Sequence, residues 1–170
     1  MERVVLVNEL DQEIGTMEKM EAHKKGALHR AFSVLLYNSK GEMLVQKRAF
    51  DKYHSGGLWS NACCSHPRPG ETMASAVNRR LKEELGVDLH PDFSFKFIYN
   101  IKFPNQLVEH ELDHVFIGTF DGEPKINENE IAEFRYVDPA ELKIQIEENP
   151  DSYSHWFKLI LNRAEIEQPL

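Results

Sequence analysis

Asn61-Ala62-Cys63-Cys64-Ser65-His66-Pro67, followed by Arg79-Arg80-Leu81-Lys82-Glu83-Glu84-Leu85-Gly86-Val87, is the stretch whose reading decides the fold. Its second part closes a helix. Thr72 can cap that helix and Gly86 can end it. Met73, Ala76, Val77, Leu81 and Leu85 make an apolar stripe along it. Residues three and four apart are neighbours on a helix, so Arg80, Glu83 and Glu84 share one side. A carboxylate able to hold magnesium, Glu84, therefore stands beside a guanidinium able to meet a phosphate oxygen directly. Magnesium usually takes one or two carboxylates plus substrate phosphates.

Outward from this helix, the other elements follow from periodicity and turn chemistry. Val4 to Val7 reads as a short strand, and Glu18 to Leu28 as a polar loop. Arg30 to Tyr37 is a strand, and Asn38-Ser39-Lys40-Gly41 turns into another over Met43 to Lys47. Ala49 to Gly57 is loop-like. Phe93 to Phe103 and Leu107 to Phe120 alternate as two long strands, and Phe134 to Val137 is a further one. Asp138-Pro139-Ala140-Glu141 starts a helix by capping box and first-turn proline, and Asn149-Pro150 stops it. A last helix spans Ser154 to Ile166. The expected fold is α/β or α+β, a mixed sheet with helices around it.

The 170 residues, 41% of them hydrophobic, are enough for one domain with a real core, here residues 1–170. The net charge of −8 argues against a general polyanion-binding surface, hence against nucleic acid. A phosphate ligand must then be caught by a local basic pocket. No apolar run is long enough to span a bilayer, and Met1-Glu2-Arg3-Val4-Val5-Leu6 lacks a signal-peptide layout. The two cysteines are neighbours, which rarely bond to each other, so both are expected as reduced thiols in the cytoplasm.

Three groups of residues could carry chemistry. Each of His23, His29 and His66 alone is an ordinary polar residue. Glu109, Glu111 and Asp113 lie on one strand, where alternate residues share a face. That face is commonly solvated, but Leu107, Val108, Leu112, Val115 and Phe116 tie this strand to the core. Three imidazoles and two carboxylates would suit zinc or manganese. The second group is basic: Lys19, Arg48, Lys52 and Arg80. The third is the thiol pair. Cys63 reads as a buried, inert packing residue. Cys64, two residues from His66, is expected to be made reactive by a nearby ion, imidazole or guanidinium that lowers its pKa. Tyr99 and Trp156 read as core or pocket-rim aromatics.

The segment from Ser65 to Val87 resembles the Nudix box, G-x5-E-x7-R-E-U-x-E-E-x-G-U with U apolar. Ser65 stands at the first Gly, Glu71 at the first Glu, Arg79 at the Arg, and Glu83 and Glu84 at the paired acids. Arg80 departs from it, standing where a Nudix hydrolase carries a Glu ligand for catalytic magnesium. Taken with Glu18-Lys19, His23, Leu28-His29, Ala31-Phe32-Ser33, Lys47-Arg48-Ala49, Gly57-Leu58-Trp59-Ser60-Asn61, Cys64-Ser65-His66-Pro67, Tyr99, Glu109-His110-Glu111 and Ser154-His155-Trp156, the chain resembles the type 1 isopentenyl diphosphate isomerases almost end to end.

The resemblance implies a Nudix-like mixed sheet sandwiched between helices. It also implies an enzyme that interconverts isopentenyl and dimethylallyl diphosphate in isoprenoid biosynthesis; the oligomeric state is left open, with a monomer favoured. It makes Cys64 and Glu111 the catalytic pair, with Tyr99 hydrogen-bonding the catalytic carboxyl. It gives His23, His29, His66, Glu109 and Glu111 to one manganese or zinc ion. It gives Glu84 and the main-chain carbonyl of Cys64 to magnesium bound by the diphosphate. Lys19, Arg48, Lys52 and Arg80 would hold the phosphates and Trp156 would cover the hydrocarbon. Two other functions compete with this one. The first is a Nudix hydrolase of a nucleoside diphosphate derivative, which Arg80 disfavours. The second is a non-catalytic metal-binding module, which needs no thiol facing a carboxylate.

Overall fold

The computed structural model describes residues 1–167 and the side chains of residues 1–163. Nine strands form one mixed sheet. In chain order they are β1 (Arg3–Val7), β2 (Glu13–Glu18), β3 (His29–Tyr37), β4 (Met43–Arg48), β5 (Trp59–Asn61), β6 (Cys63–Ser65), β7 (Asp92–Lys102), β8 (Val108–Thr119) and β9 (Ile131–Val137). Four α-helices accompany them: α1 (Lys19–Lys25), α2 (Met73–Leu85), α3 (Pro139–Glu148) and α4 (His155–Glu167).

β3 organises the sheet. It pairs antiparallel with β6, placing Ser33 opposite Cys64, and parallel with β8, placing His29 opposite Glu111. β7 pairs antiparallel with β8 and sets Tyr99 opposite Glu111. One short strand, β6, and two long ones, β3 and β8, thereby carry the thiol, the imidazole and the carboxylate to the same part of the sheet.

Helices cover both faces. On one, Ala76, Val77, Leu81 and Leu85 of α2 pack with Phe32, Val34, Leu36, Leu44 and Phe116. On the other, Leu142 of α3 and Trp156, Phe157 and Ile160 of α4 pack with Leu35, Val45, Phe97 and Val115. Each fully buried large apolar side chain contributes about 1.5–3 kcal/mol, so these two layers hold the sheet between the helices. The Thr72 side chain accepts from the Ser75 amide, and Gly86 takes a left-handed φ of 64° at the end of α2. The sandwich, the α2 stripe and its caps agree with the sequence.

Two expectations are corrected. Glu18–Leu28 is not simply a loop: it contains α1. Only Ala22 and His23 are buried in that helix, so it has no apolar stripe to betray it. Its termini hold it instead. The Glu18 carboxylate accepts from the Met20 and Glu21 amides, and Gly26 closes the end at φ 68°. β2 was also invisible to periodicity. It pairs with β1 alone and has no buried residue, so its side chains follow no alternation.

Candidate active site

Asn61 fixes the turn that presents the thiols. Its amide nitrogen donates to the carbonyls of Val34 at 3.2 Å and Cys63 at 2.8 Å, and its side-chain oxygen accepts from Trp156 Nε1 at 3.2 Å. The start of α4 is pinned to β5 by the Ser154 amide bonding the Trp59 carbonyl at 2.9 Å and by the Ser60–Ser154 hydroxyl pair at 2.8 Å. Trp156 is thus seated by the Trp59-Ser60-Asn61 strand.

Alternation along β6 separates the cysteines. Cys63 is fully buried against α2, and Cys64 lines a cleft on the other side. Cys63 is more than packing, which corrects the sequence reading. Its thiol donates to Glu84 Oε2 at 2.9 Å. The expectation that a guanidinium acidifies Cys64 is corrected too. Burial pushes this thiol up to about 12, and the opposing pull of the Arg48 guanidinium does not offset it. Arg48 Nη1 lies 3.8 Å from Cys64 Sγ, so the sulfur faces a cation yet keeps its proton.

The cleft is narrow and partly open, with about 50 Å³ of enclosed cavity volume. Cys64, His66, Tyr99, Glu109, Glu111 and Trp156 line it, as do the cations Lys19, Arg48, Lys52 and Arg80. His23 and His29 lie fully buried, with their rings about the His66 ring at centroid distances of 5.9 and 5.0 Å. Glu84 is buried behind the cleft beside Arg80 and Cys63. The candidate catalytic, phosphate-holding and metal-ligating side chains therefore lie at or against this one cleft.

The imidazoles are prepared for a cation. His23 Nδ1 faces the Lys19 carbonyl at 2.7 Å and His29 Nδ1 the Ala27 carbonyl at 2.9 Å. Each ring must donate there, which leaves Nε2 as a lone pair. Both Nε2 atoms, with His66 Nδ1, are buried and have no hydrogen-bond partner. Ligand atoms of His23, His29, His66 and Glu111 lie within 4.8 Å of one another. Tyr99 Oη donates to Glu109 Oε1 and, at 3.1 Å, to Glu111 Oε2. Burial would raise Glu111, but the His66 and His29 imidazoles hold it well below the usual carboxylate range. Burial drives His23 down to about 4, so it stays neutral and free to ligate. These orphaned lone pairs and buried carboxylates fit a divalent ion.

At the opposite wall, Arg80 Nη1 donates to Glu83 Oε2 at 2.6 Å, while Nη2 lies 3.5 Å from Glu84 Oε2 and 3.3 Å from Glu130 Oε1. Lys52 also pairs with Glu130. Burial raises the Glu84 carboxyl despite Arg80 and the Cys63 thiol. Sequence reasoning missed Glu130, His54 and Tyr53, and gave Ser33 no role. Tyr53 and His54 sit in a loop with no periodicity, and Glu130 lies outside any motif. Ser33 Oγ donates to Asp113 Oδ2 at 2.8 Å, a partnership only strand pairing reveals.

The NUDIX domain family matches residues 27–158. The chain is 48% identical over 163 residues to Isopentenyl-diphosphate Delta-isomerase 2 of Aromatoleum aromaticum, covering 96% of this chain and 86% of that one. It is 49% identical to Isopentenyl-diphosphate Delta-isomerase 2 of Photorhabdus laumondii, covering 95% and 91%. Among solved structures, a Deinococcus radiodurans protein superposes with a TM-score of 0.80 at 23% identity, covering 95% of this chain and 98% of that one. The MutT protein of Methanosarcina mazei superposes at 0.69 with 19% identity, covering 84% and 96%. The two solved structures establish the sheet and its helices. With near full-length identity approaching one residue in two, the chain belongs to the Nudix superfamily and, within it, to the isopentenyl-diphosphate Delta-isomerases.

Proposed function

We propose that Cys64 and Glu111 carry out, in this cleft, the interconversion of isopentenyl and dimethylallyl diphosphate. The observation that carries the assignment is their shared cleft: a protonated thiol and an ionised carboxylate face one space that cations border. Protonating the terminal alkene carbon of isopentenyl diphosphate gives a tertiary carbocation. Removing a proton from the neighbouring carbon gives dimethylallyl diphosphate. The reaction needs one proton donor and one acceptor that can exchange roles. Tyr99 positions Glu111 by hydrogen bond. Trp156 offers an indole face to the cation, worth about 2 kcal/mol or more when desolvated. Excluding water matters because water would trap the cation as an alcohol.

In this reading Lys19, Arg48, Lys52 and Arg80 hold the diphosphate. Arg48 already stacks over Trp156, its guanidinium carbon 5.0 Å from the ring. Glu84 and the Cys64 carbonyl would hold the magnesium that arrives with the substrate. His23, His29, His66, Glu109 and Glu111 would hold a manganese or zinc ion. When bound, that ion would neutralise the two buried carboxylates and fix their orientation. We read residues 1–170 as one domain and as a cytoplasmic enzyme, because Cys64 must remain a free thiol and both thiols are unpaired. Hydrolysis is disfavoured because Arg80 stands where a Nudix hydrolase carries a carboxylate ligand for its catalytic magnesium.

The test is incubation with isopentenyl diphosphate and magnesium in deuterated water. Deuterium should enter the methyl groups of dimethylallyl diphosphate without release of phosphate. Turnover without label would refute carbon protonation, and rapid phosphate release without alkene exchange would refute the assignment.

A further inference from the structure

One buried imidazole at the cleft has no part in the proposed reaction. His54 sits in the loop between β4 and β5, with its side chain 3% exposed. Its ring stacks on Phe103 at a centroid distance of 4.4 Å and stands edge-on to Trp156 at 5.6 Å. Nδ1 faces Ser55 Oγ at 3.2 Å. A hydrogen placed there leaves Nε2 as a lone pair. His54 Nε2 is buried without a hydrogen-bond partner, yet lies 2.5 Å from Glu109 Oε2. Atoms that close must share one cation, a proton in the metal-free protein or a metal ion when one is bound.

His54 also belongs to a second group of potential ligands. Its ligand atom and those of His23 and Glu109 lie within 4.8 Å of one another. This group shares His23 with the group of His29, His66 and Glu111. His23 has a single free ring nitrogen, because Nδ1 is committed to the Lys19 carbonyl. It can therefore serve one ion only. A separate ion at His54 would be left with His54 and Glu109, too few ligands for a protein site.

We propose that His54 is a sixth protein ligand of the divalent centre, joining His23, His29, His66, Glu109 and Glu111. The inference rests on the metal centre proposed above and deepens it. A sixth protein ligand would take up a position that water could otherwise fill, in a cleft that must exclude water. Four imidazoles also favour the borderline ions, such as zinc and cobalt, over magnesium.

The experiment loads metal-free full-length protein with Co²⁺ and measures stoichiometry, affinity and visible absorption. The wild type should bind one ion per chain with the weak absorption of six-coordinate Co²⁺. His54→Phe keeps an aromatic ring between Phe103 and Trp156 and removes the ligand. It should bind one ion with affinity lowered on the order of 10–100-fold, the range seen when even the groups orienting metal ligands are lost. Its absorption should strengthen as the coordination number falls. If His54→Phe does not fold, His54→Ala takes its place with affinity as the readout. Unchanged affinity in a folded His54 variant overturns the proposal, and so do two Co²⁺ ions per wild-type chain. A wild type that binds no Co²⁺ overturns the metal centre itself, an outcome distinct from one in which only His54 proves idle.

Discussion

Arg80→Glu restores the hydrolase spelling of the box and reverses the charge at the middle of an acidic cluster. Arg80 is raised further above its ordinary range because burial, which would lower it, is outweighed by Glu84 and its other anionic neighbours. Its side chain is 16% exposed and that of Glu84 only 5%. Removing one partner of a buried pair costs about 3–5 kcal/mol. The new carboxylate adds repulsion against Glu83, Glu84 and Glu130. For a chain of this length the fall in melting temperature should be about 6–20 °C in the presence of a chelator. Magnesium should return part of it by neutralising the enlarged acidic cluster. Losing a charge-assisted hydrogen bond to phosphate costs roughly 1.5–3 kcal/mol. That lowers kcat/KM by about 10–150-fold before repulsion of the diphosphate is added. The assay pairs alkene exchange with phosphate release on purified Arg80→Glu, beside thermal unfolding with and without magnesium. Exchange should vanish and no diphosphatase should appear, because a cleft built to protect a carbocation should exclude the attacking water. An unchanged melting temperature would show that Glu84 does not depend on Arg80. Substantial phosphate release would show that Arg80 alone was the barrier to hydrolysis.

Cys64→Ala should abolish isomerisation while preserving the fold, whereas Cys63→Ala should keep turnover. Cys63→Ala should lose about 1–3 kcal/mol of stability, because it strips a hydrogen bond from buried Glu84; denaturant unfolding and activity together test this, and equal loss of turnover from both would contradict the separation of the two thiols. In metal-free protein, alkylation of Cys64 should keep accelerating up to pH 10, since burial raises the thiol to about 12 and the reactive thiolate grows with pH; a plateau near neutrality would mean the cations win over burial. Tyr99→Phe removes the hydroxyl shared by Glu109 and Glu111 and should weaken binding of the proposed zinc or manganese ion about 10–100-fold; metal titration showing wild-type affinity would remove Tyr99 from that role. Glu84→Gln should raise the magnesium concentration needed for half-maximal rate and leave the other ion's occupancy unchanged by elemental analysis; loss of both metals together would show that the sites are not separate.

The α2 helix was legible because its information is local. Thr72, Gly86 and a stripe of five apolar residues specify a helix wherever it packs, and its turn fixes Arg80 beside Glu83 and Glu84. Alternation did the same for β7 and β8, and so put Glu109 and Glu111 on one face. The family was legible from residue types at fixed spacing. Other features depended on contacts between distant segments. α1 carries His23 but is specified by its caps and by its seat against the sheet. Whether Cys64 is acidified depends on a balance between burial and Arg48, which no local pattern encodes. The acceptor pairing of Glu130 with Arg80 and Lys52 links residues about fifty to eighty positions apart. His54, in a loop without periodicity, acquires its place beside Glu109 only when β8 and α4 close around it. Sequence records which groups are available and their local direction. Desolvation and the meeting of lone pairs arise only when the chain has folded, because both depend on what every other segment excludes or brings near.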